Sequence, residues 1–294
     1  MTTHEPVMVE ETVSLLQPER GGLFVDCTTG LGGHSRVMLE RGAHRLLCLD
    51  RDAEALARAA ETLRAWSDRV EFVHADYRDL ETVLTSRGIR GVNGALADLG
   101  VSSMQLDEEG RGFSFRRNEP LDMRMDRSSG PTAADLLAQV DEVDLANVIF
   151  QYGEERFSRR IARAIVEVRR TERIDTTARL ADIVRRAIPR RGYQRIDPAT
   201  RTFQALRIWV NRELDGLDRF LADAARRLLA GARLSVITFH SLEDRIVKHA
   251  FRALAAGEAA LRILTRKPLV PGDDEVARNP RARSAKLRAI ERLA

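Results

Sequence analysis

A strand, a glycine loop and a helix start near the N-terminus constrain this chain more than any other segment. Residues 23–35 read LFVDCTTGLGGHS, and a second apolar run, LLCLD, ends at Asp50. An apolar run closing on Asp26 and followed by Gly30, Gly32 and Gly33 predicts a backbone bend that approaches a ligand closely. Glycine has no Cβ and tolerates positive φ, so main-chain N–H groups there can reach a cofactor. Asp50 stands twenty residues after Gly30, where doubly wound folds place a carboxylate for ribose hydroxyls. A dinucleotide site would carry a third glycine at Gly-x-Gly-x-x-Gly, a place held here by Ser35 or Arg36. Its absence favours S-adenosylmethionine, which has no pyrophosphate to cradle. Another nucleotide-binding α/β protein, or a tight structural turn, is the alternative on the loop alone.

Four acids follow the same logic. Strands are expected at 23–27, 45–50, 70–74 and 94–98, with helices at 34–41 and 52–65 between them. Such alternation predicts a mostly parallel, doubly wound sheet with its ligand site at the strand C-termini. Asp26, Asp50, Asp76 and Asp98 all fall at or just past those strand ends.

After Asp98 the texture changes. Residues 106–131 are rich in Gly, Arg, Asp and Pro and show no clear period. From Thr132 to about residue 188 the pattern is helical, with N-caps expected at Thr132 and Asp175. Ile161, Ala164, Ile165 and Val168 form an apolar stripe flanked by arginines. A helical stretch interrupting a βα series implies an inserted domain, so the expected division is 1–105, 106–206 and 207–294. The sheet pattern resumes with a long helix near 203–229, a turn at Ala230-Gly231-Ala232 and a strand at 233–239. A last strand is expected around 284–290.

Composition adds bounds. The 294 residues are 44% hydrophobic and 31% charged, ordinary for a globular protein, and no apolar run reaches the length of a membrane helix. The N-terminus lacks the basic start and apolar core of a secretory leader. Cys27 and Cys48 fall in expected strands, which suggests reduced core thiols and a cytoplasmic setting. The six His and two Cys show no metal-ligand spacing, so no metal is expected. The net charge is +4, and 45 of the 48 basic residues are Arg. Residues 185–207 concentrate Arg185, Arg186, Arg190, Arg191, Arg195, Arg201 and Arg207 against Asp197 alone, with Tyr193 and Phe203 interleaved. That mixture suits nucleic-acid phosphates and base stacking; a solvated basic face is the alternative.

Eight motifs in fixed order carry a resemblance. They are HEPVM at 4–8, DLGVSS at 98–103, RGFSF at 111–115, PLDMRMD at 120–126, YGEERFSRRIARAIV at 152–166, PATRTFQALRIWVN at 198–211, FHSLEDRIVK at 239–248 and NPRARSAKLR at 279–288. Together with GLGGHS they resemble the MraW-type ribosomal RNA small subunit methyltransferases, almost end to end. The resemblance implies a class I S-adenosyl-L-methionine-dependent methyltransferase fold, Rossmann-like, with an inserted α-helical substrate-recognition domain. It implies methylation of the exocyclic amino group of a cytidine in the decoding region of 16S rRNA, within the 30S subunit, with no membrane or DNA partner. Between 253 and 268 this chain is compact where some members carry a longer charged insertion, which bears on peripheral contacts only.

Matched residue by residue, the resemblance implies that Gly32, Gly33, His34, Asp50, Tyr77, Asp98 and Gln105 bind the cofactor. Asp50 would take the ribose hydroxyls and Tyr77 would lie beside the adenine. Structural alternatives stand for His34 (a helix cap), Tyr77 (core packing) and Gln105 (holding the loop). Many amino methyltransferases follow the catalytic Asp or Asn with Pro-Pro and an aromatic residue; here the place reads Asp98-Leu99-Gly100-Val101. Asp98 is then the residue expected to orient the amine, with His240 as proton relay or hydrogen-bond partner. Stacking must come from elsewhere, with Phe113, Phe115, Tyr193 and Phe239 as candidates. An RNA-binding assembly factor that keeps the fold, or a DNA or protein methyltransferase, are the competing functions.

Overall fold

The computed structural model describes residues 6–189 and 196–294. Arg190, Arg191, Tyr193 and Arg195 lie outside the described residues. The chain forms two compact units, one made of residues up to Gly100 together with Leu214–Ala294, the other of Val101–Glu213.

In chain order the first unit holds α1 (Val9–Leu16), β1 (Leu23–Asp26), α2 (Gly33–Glu40), β2 (Arg45–Asp50), α3 (Ala53–Thr62), β3 (Val70–His74), α4 (Leu80–Ser86) and β4 (Val92–Asp98). The second holds α5 (Ser103–Asp107), α6 (Ala133–Gln139), α7 (Glu142–Gly153), α8 (Ser158–Arg169), α9 (Thr177–Ala187) and α10 (Ala199–Asn211). The chain then returns to the first with α11 (Leu217–Arg226), β5 (Leu228–Thr238), α12 (Ser241–Gly257), β6 (Leu261–Ile263), α13 (Asp273–Arg278) and β7 (Lys286–Arg292).

The seven strands make one sheet in the order β3-β2-β1-β4-β5-β7-β6. Strands β1 to β5 pair in parallel, and β7 runs antiparallel between β5 and β6. This is the class I methyltransferase arrangement. Its order reverses between β1 and β4, so the crevice beyond their C-termini is the place for a ligand. One face packs Val25, Leu47, Leu49, Ala95, Leu234 and Val236 against Leu80, Leu84, Phe220, Leu221 and Phe251. The other packs Phe24, Leu46, Cys48 and Leu96 against Val13, Leu16, Met38 and Leu39. Neighbours along each strand go to opposite faces, the period of two that both-side burial requires.

Local chemistry sets the ends. The Asp52 side chain accepts from the Glu54 and Ala55 N–H groups and starts α3. Thr132 and Asp135 form a reciprocal capping box at α6. The cap of α9 is Thr176, whose hydroxyl accepts the Arg179 N–H, rather than Asp175. The helix expected over 203–229 is two helices, because Arg212 and Gly216 both adopt left-handed backbone, at φ 51° and 67°. Strand β5 begins at Leu228, five residues early. The expected turn at Gly231 (φ 77°) is a bulge within it, marked by a register shift between Val92 and Gly94.

The 101–213 unit has its own core, with Leu137, Leu145, Ile149, Ile161, Ile165, Leu180, Val184 and Phe203 all buried. Arg111 of the RGFSF motif is 1% exposed and donates from Nη2 to the Met125 carbonyl at 2.9 Å, fastening the 111–126 loop. Phe113 is buried in the same core, and Phe115 packs edge-on against Phe203 with centroids 4.7 Å apart. Neither ring is a free stacking surface. Cys27 and Cys48 are unbridged and buried, and burial pushes the Cys48 thiol up to about 12. Among the described residues no helix is long and apolar enough to cross a membrane.

Candidate active site

The glycine loop joins β1 to α2 and is held from beneath by Asp26. Its carboxylate accepts the Ser35 hydroxyl at 2.7 Å and the Thr28 N–H at 3.2 Å. Thr29 Oγ1 lies 3.0 Å from the Leu49 carbonyl, pinning the loop to β2. Gly30 and Gly32 take positive φ, 53° and 79°, where a side chain costs about 1–2 kcal/mol. A Cβ on Gly33 would stand 2.7 Å from Pro6 Cγ, so that glycine permits close approach of the N-terminal segment. A Cβ on Gly30 would meet nothing within 4 Å. The loop therefore keeps open space on one side while being packed on the other.

Asp50 closes the cup. Its Oδ2 accepts the Gly30 N–H at 2.7 Å and its Oδ1 the Asp52 N–H at 2.8 Å. Each oxygen retains a second lone pair for vicinal hydroxyls. Asp98 ends β4, and its N–H donates to Thr28 Oγ1 at 2.6 Å. Its Oδ1 is buried with no hydrogen-bond partner among the described residues, and Oδ2 lies 3.9 Å from His34 Nδ1. A buried, orphaned carboxylate oxygen calls for a partner. His34 does not cap α2, since that position is Gly32. Its Nε2 lies 2.9 Å from the Val7 carbonyl, so Nε2 donates there while Nδ1 faces Asp98.

Three uncompensated acids thus share one sheet edge. Burial raises Asp26 and Asp50 each to about 6, partly offset by the hydrogen bonds they accept. Asp98 is held well above the usual carboxylate range by burial, then by the charges of Asp26 and Glu243. Asp76 is different. Burial would raise it, but bidentate hydrogen bonds from Arg78 outweigh this and hold it below the usual range, with Arg51 Nη1 3.5 Å away. It is engaged by arginines, unlike the other three strand-end acids. Tyr77 packs on Phe220, centroids 4.8 Å apart, and stays half-buried.

Gln105 belongs to the helical unit. Its Oε1 accepts the Ser102 N–H and its N–H donates to Ser102 Oγ, a capping box that starts α5. His240 caps α12: Nδ1 accepts the Glu243 N–H at 3.3 Å and Nε2 lies 3.1 Å from Glu243 Oε1. Both ring nitrogens face Glu243. That residue escaped notice in the sequence, although it is 1% exposed, accepts the Phe239 N–H at 2.9 Å and raises Asp98. The signal was there, since an acid three residues after a cap is a capping-box pattern.

The family model of the MraW methylases matches residues 1–293. The chain belongs to the MraW methylase family. Curated relatives agree over the full length. The ribosomal RNA small subunit methyltransferase H of Synechococcus elongatus is 51% identical, covering 99% of this chain and 95% of that protein. Those of Anaeromyxobacter sp. strain K and Pelobacter propionicus are 50% and 48% identical, each covering 99% of this chain and 98% of the relative. Among solved structures, an rRNA methylase from Streptococcus thermophilus matches at 10% identity and a TM-score of 0.42, covering 97% of this chain and 94% of that one. As a member of this family the chain uses S-adenosyl-L-methionine. The cup fits that cofactor: open space at Gly30, spare acceptors on Asp50, and acids without a Lys or Arg ion pair facing a cationic donor.

Proposed function

We propose that this methylase acts on the exocyclic amino group of a cytidine in the decoding region of 16S rRNA, within the 30S subunit of the cytoplasm. The observation that carries the reading is Asp98: a recessed carboxylate at the switch point, with one oxygen unpartnered and its proton affinity raised. The names of the relatives support small-subunit rRNA as the substrate. When bound, S-adenosyl-L-methionine supplies an electrophilic methyl on a sulfonium.

Cytosine's amino lone pair is delocalised into the ring, so the chain must turn that nitrogen and relieve it of a proton. Asp98 accepts a hydrogen bond from one amino N–H and aligns the lone pair for in-line transfer. Asp98 would take the proton that the amine gives up on methylation, its raised pKa making it a stronger base than an ordinary carboxylate. Gly32, Gly33, His34 and Asp50 hold the donor, and Tyr77 borders it. His240 serves as a positioning residue, holding Glu243 beneath the loop after β5. The helical unit recognises the substrate. Its α8–α9 groove, about 460 Å³, is lined by Arg160, Arg163, Arg179 and Arg186 against Glu167. The target base is reached only when unstacked.

Asp98→Ala tests the reading: methyl transfer to 30S particles is lost while the protein stays folded. Turnover near that of the unaltered enzyme removes Asp98 from the chemistry. The assembly-factor reading predicts 30S binding with no transfer of label by the unaltered protein.

A further inference from the structure

The motifs FHSLEDRIVK and NPRARSAKLR end in basic residues that the cofactor site does not use. Lys248 on α12 and Arg288 on β7 meet in a cavity of about 260 Å³, completed by Arg252, Arg266 and Thr265 over Phe251. No acid lines it. Lys248, Arg252 and Arg266 make no ion pair among the described residues.

Arg288 makes this a built site rather than a solvated face. Its side chain is 6% exposed, and its Nε donates to Asp244 Oδ1 at 2.7 Å. Its two Nη groups have no hydrogen-bond partner among the described residues, yet the guanidinium lines the cavity. Asp244 also accepts from Lys286 at 3.1 Å, and these bonds outweigh its burial and hold it below the usual carboxylate range. Asp244 therefore stays ionised and fixes the Arg288 fork. In a chain with 45 Arg and three Lys, all three lysines fall here: Lys248 in the wall, Lys286 on Asp244, Lys267 next to Arg266. A planar fork with unused donors, ringed by point charges and free of acids, is the donor set of a phosphodiester site.

We propose that this cavity binds a backbone phosphate of the RNA substrate, a contact on the catalytic unit itself; the proposal rests on the rRNA reading above. Lys248, Arg252 and Arg266 spread around the Arg288 fork suit successive phosphates of one strand rather than a single small anion, which favours a polynucleotide as the occupant.

The test is the triple variant Lys248→Gln, Arg252→Gln, Arg266→Gln, which leaves the buried Arg288–Asp244 pair intact. Fluorescence anisotropy with a labelled single-stranded fragment of 16S rRNA is measured from about 50 to 200 mM salt. The expected result is affinity weaker by about tenfold, a log–log salt slope shallower by about 0.7 per lost phosphate, and unchanged S-adenosylmethionine binding by calorimetry. Unchanged affinity and slope overturn the site. So does normal binding of naked RNA with lost 30S methylation, which assigns the cavity to a ribosomal protein. Failure of the unaltered enzyme to methylate 30S particles sinks the rRNA reading instead, a result distinct from both.

Discussion

At the scale of single residues, the proposed chemistry rests on carboxylates that the fold keeps short of ion-pair partners. Asp26 and Asp50 have ordinary values near 3.8 and folded values of about 6. Between about pH 4 and 6 the folded state therefore binds more protons than the unfolded chain. Stability falls as pH rises through that window, by on the order of 3 kcal/mol for Asp26. Asp76 acts in the opposite sense, its pKa being lowered, and its contribution is lost on acidification. Cationic S-adenosylmethionine should bind about tenfold more tightly at pH 8 than at pH 5 as these acids ionise. S-adenosylhomocysteine, uncharged at sulfur, should show a flatter profile; equal pH dependence for the two ligands in calorimetry contradicts the electrostatic account. Removing a neighbouring charge is the complementary probe. Glu243→Gln should lower the Asp98 pKa and move the acidic limb of the kcat/KM profile to lower pH, while an unmoved limb would mean that Glu243 does not act on Asp98. Asp26, Asp50 and Asp98 were legible in the sequence because strand ends can be read from apolar runs. Glu243 could be placed after a helix cap by the capping-box spacing, but its burial beside Asp98 could not, because that depends on tertiary packing.

At the scale of elements, the glycine loop is where backbone freedom and function coincide. Gly32→Ala forces a side chain to φ 79° and should cost about 1–2 kcal/mol, visible as a lower Tm, and should also weaken cofactor binding. Gly88→Ala, at φ 65° beyond the end of α4, should cost a similar amount and leave cofactor affinity unchanged. If the two variants are indistinguishable in cofactor titrations, the loop is only a turn. Most strands and helices followed from periodicity, as β2 and β3 show, both matching the expected 45–50 and 70–74. The misses have physical reasons. Arg212 in the left-handed region splits a helix that propensity would continue. Gly231 looks like a turn locally, yet pairing with β4 converts it to a bulge. The rings proposed for base stacking include Phe113 and Phe115, which tertiary packing buries or engages. A sequence does not announce which aromatics the core takes.

At the scale of the whole molecule, the proposed function divides between two compact units. The sheet unit carries the acidic cup, and the helical unit carries a groove whose Arg160 and Arg186 have no ion-pair partner among the described residues. Arg160→Ala with Arg186→Ala should weaken rRNA binding and flatten its salt dependence by up to about 1.4 in the log–log slope, while S-adenosylmethionine binding holds. Equal loss of both ligands would mark those arginines as structural. The division into two units was legible in the change of texture after Asp98, and the helical unit's arginines in their spacing along α8 and α9.

In the proposed function, the Asp98 edge directs a methyl group to a cytidine amine of small-subunit rRNA. The most direct measurement incubates the enzyme with methyl-labelled S-adenosylmethionine and 30S particles lacking this modification, then identifies labelled nucleosides by mass spectrometry. The unaltered enzyme should give one labelled N4-methylated cytidine, and Asp98→Ala none. Label on any other nucleoside or on protein, or label that persists in the variant, contradicts the proposed function.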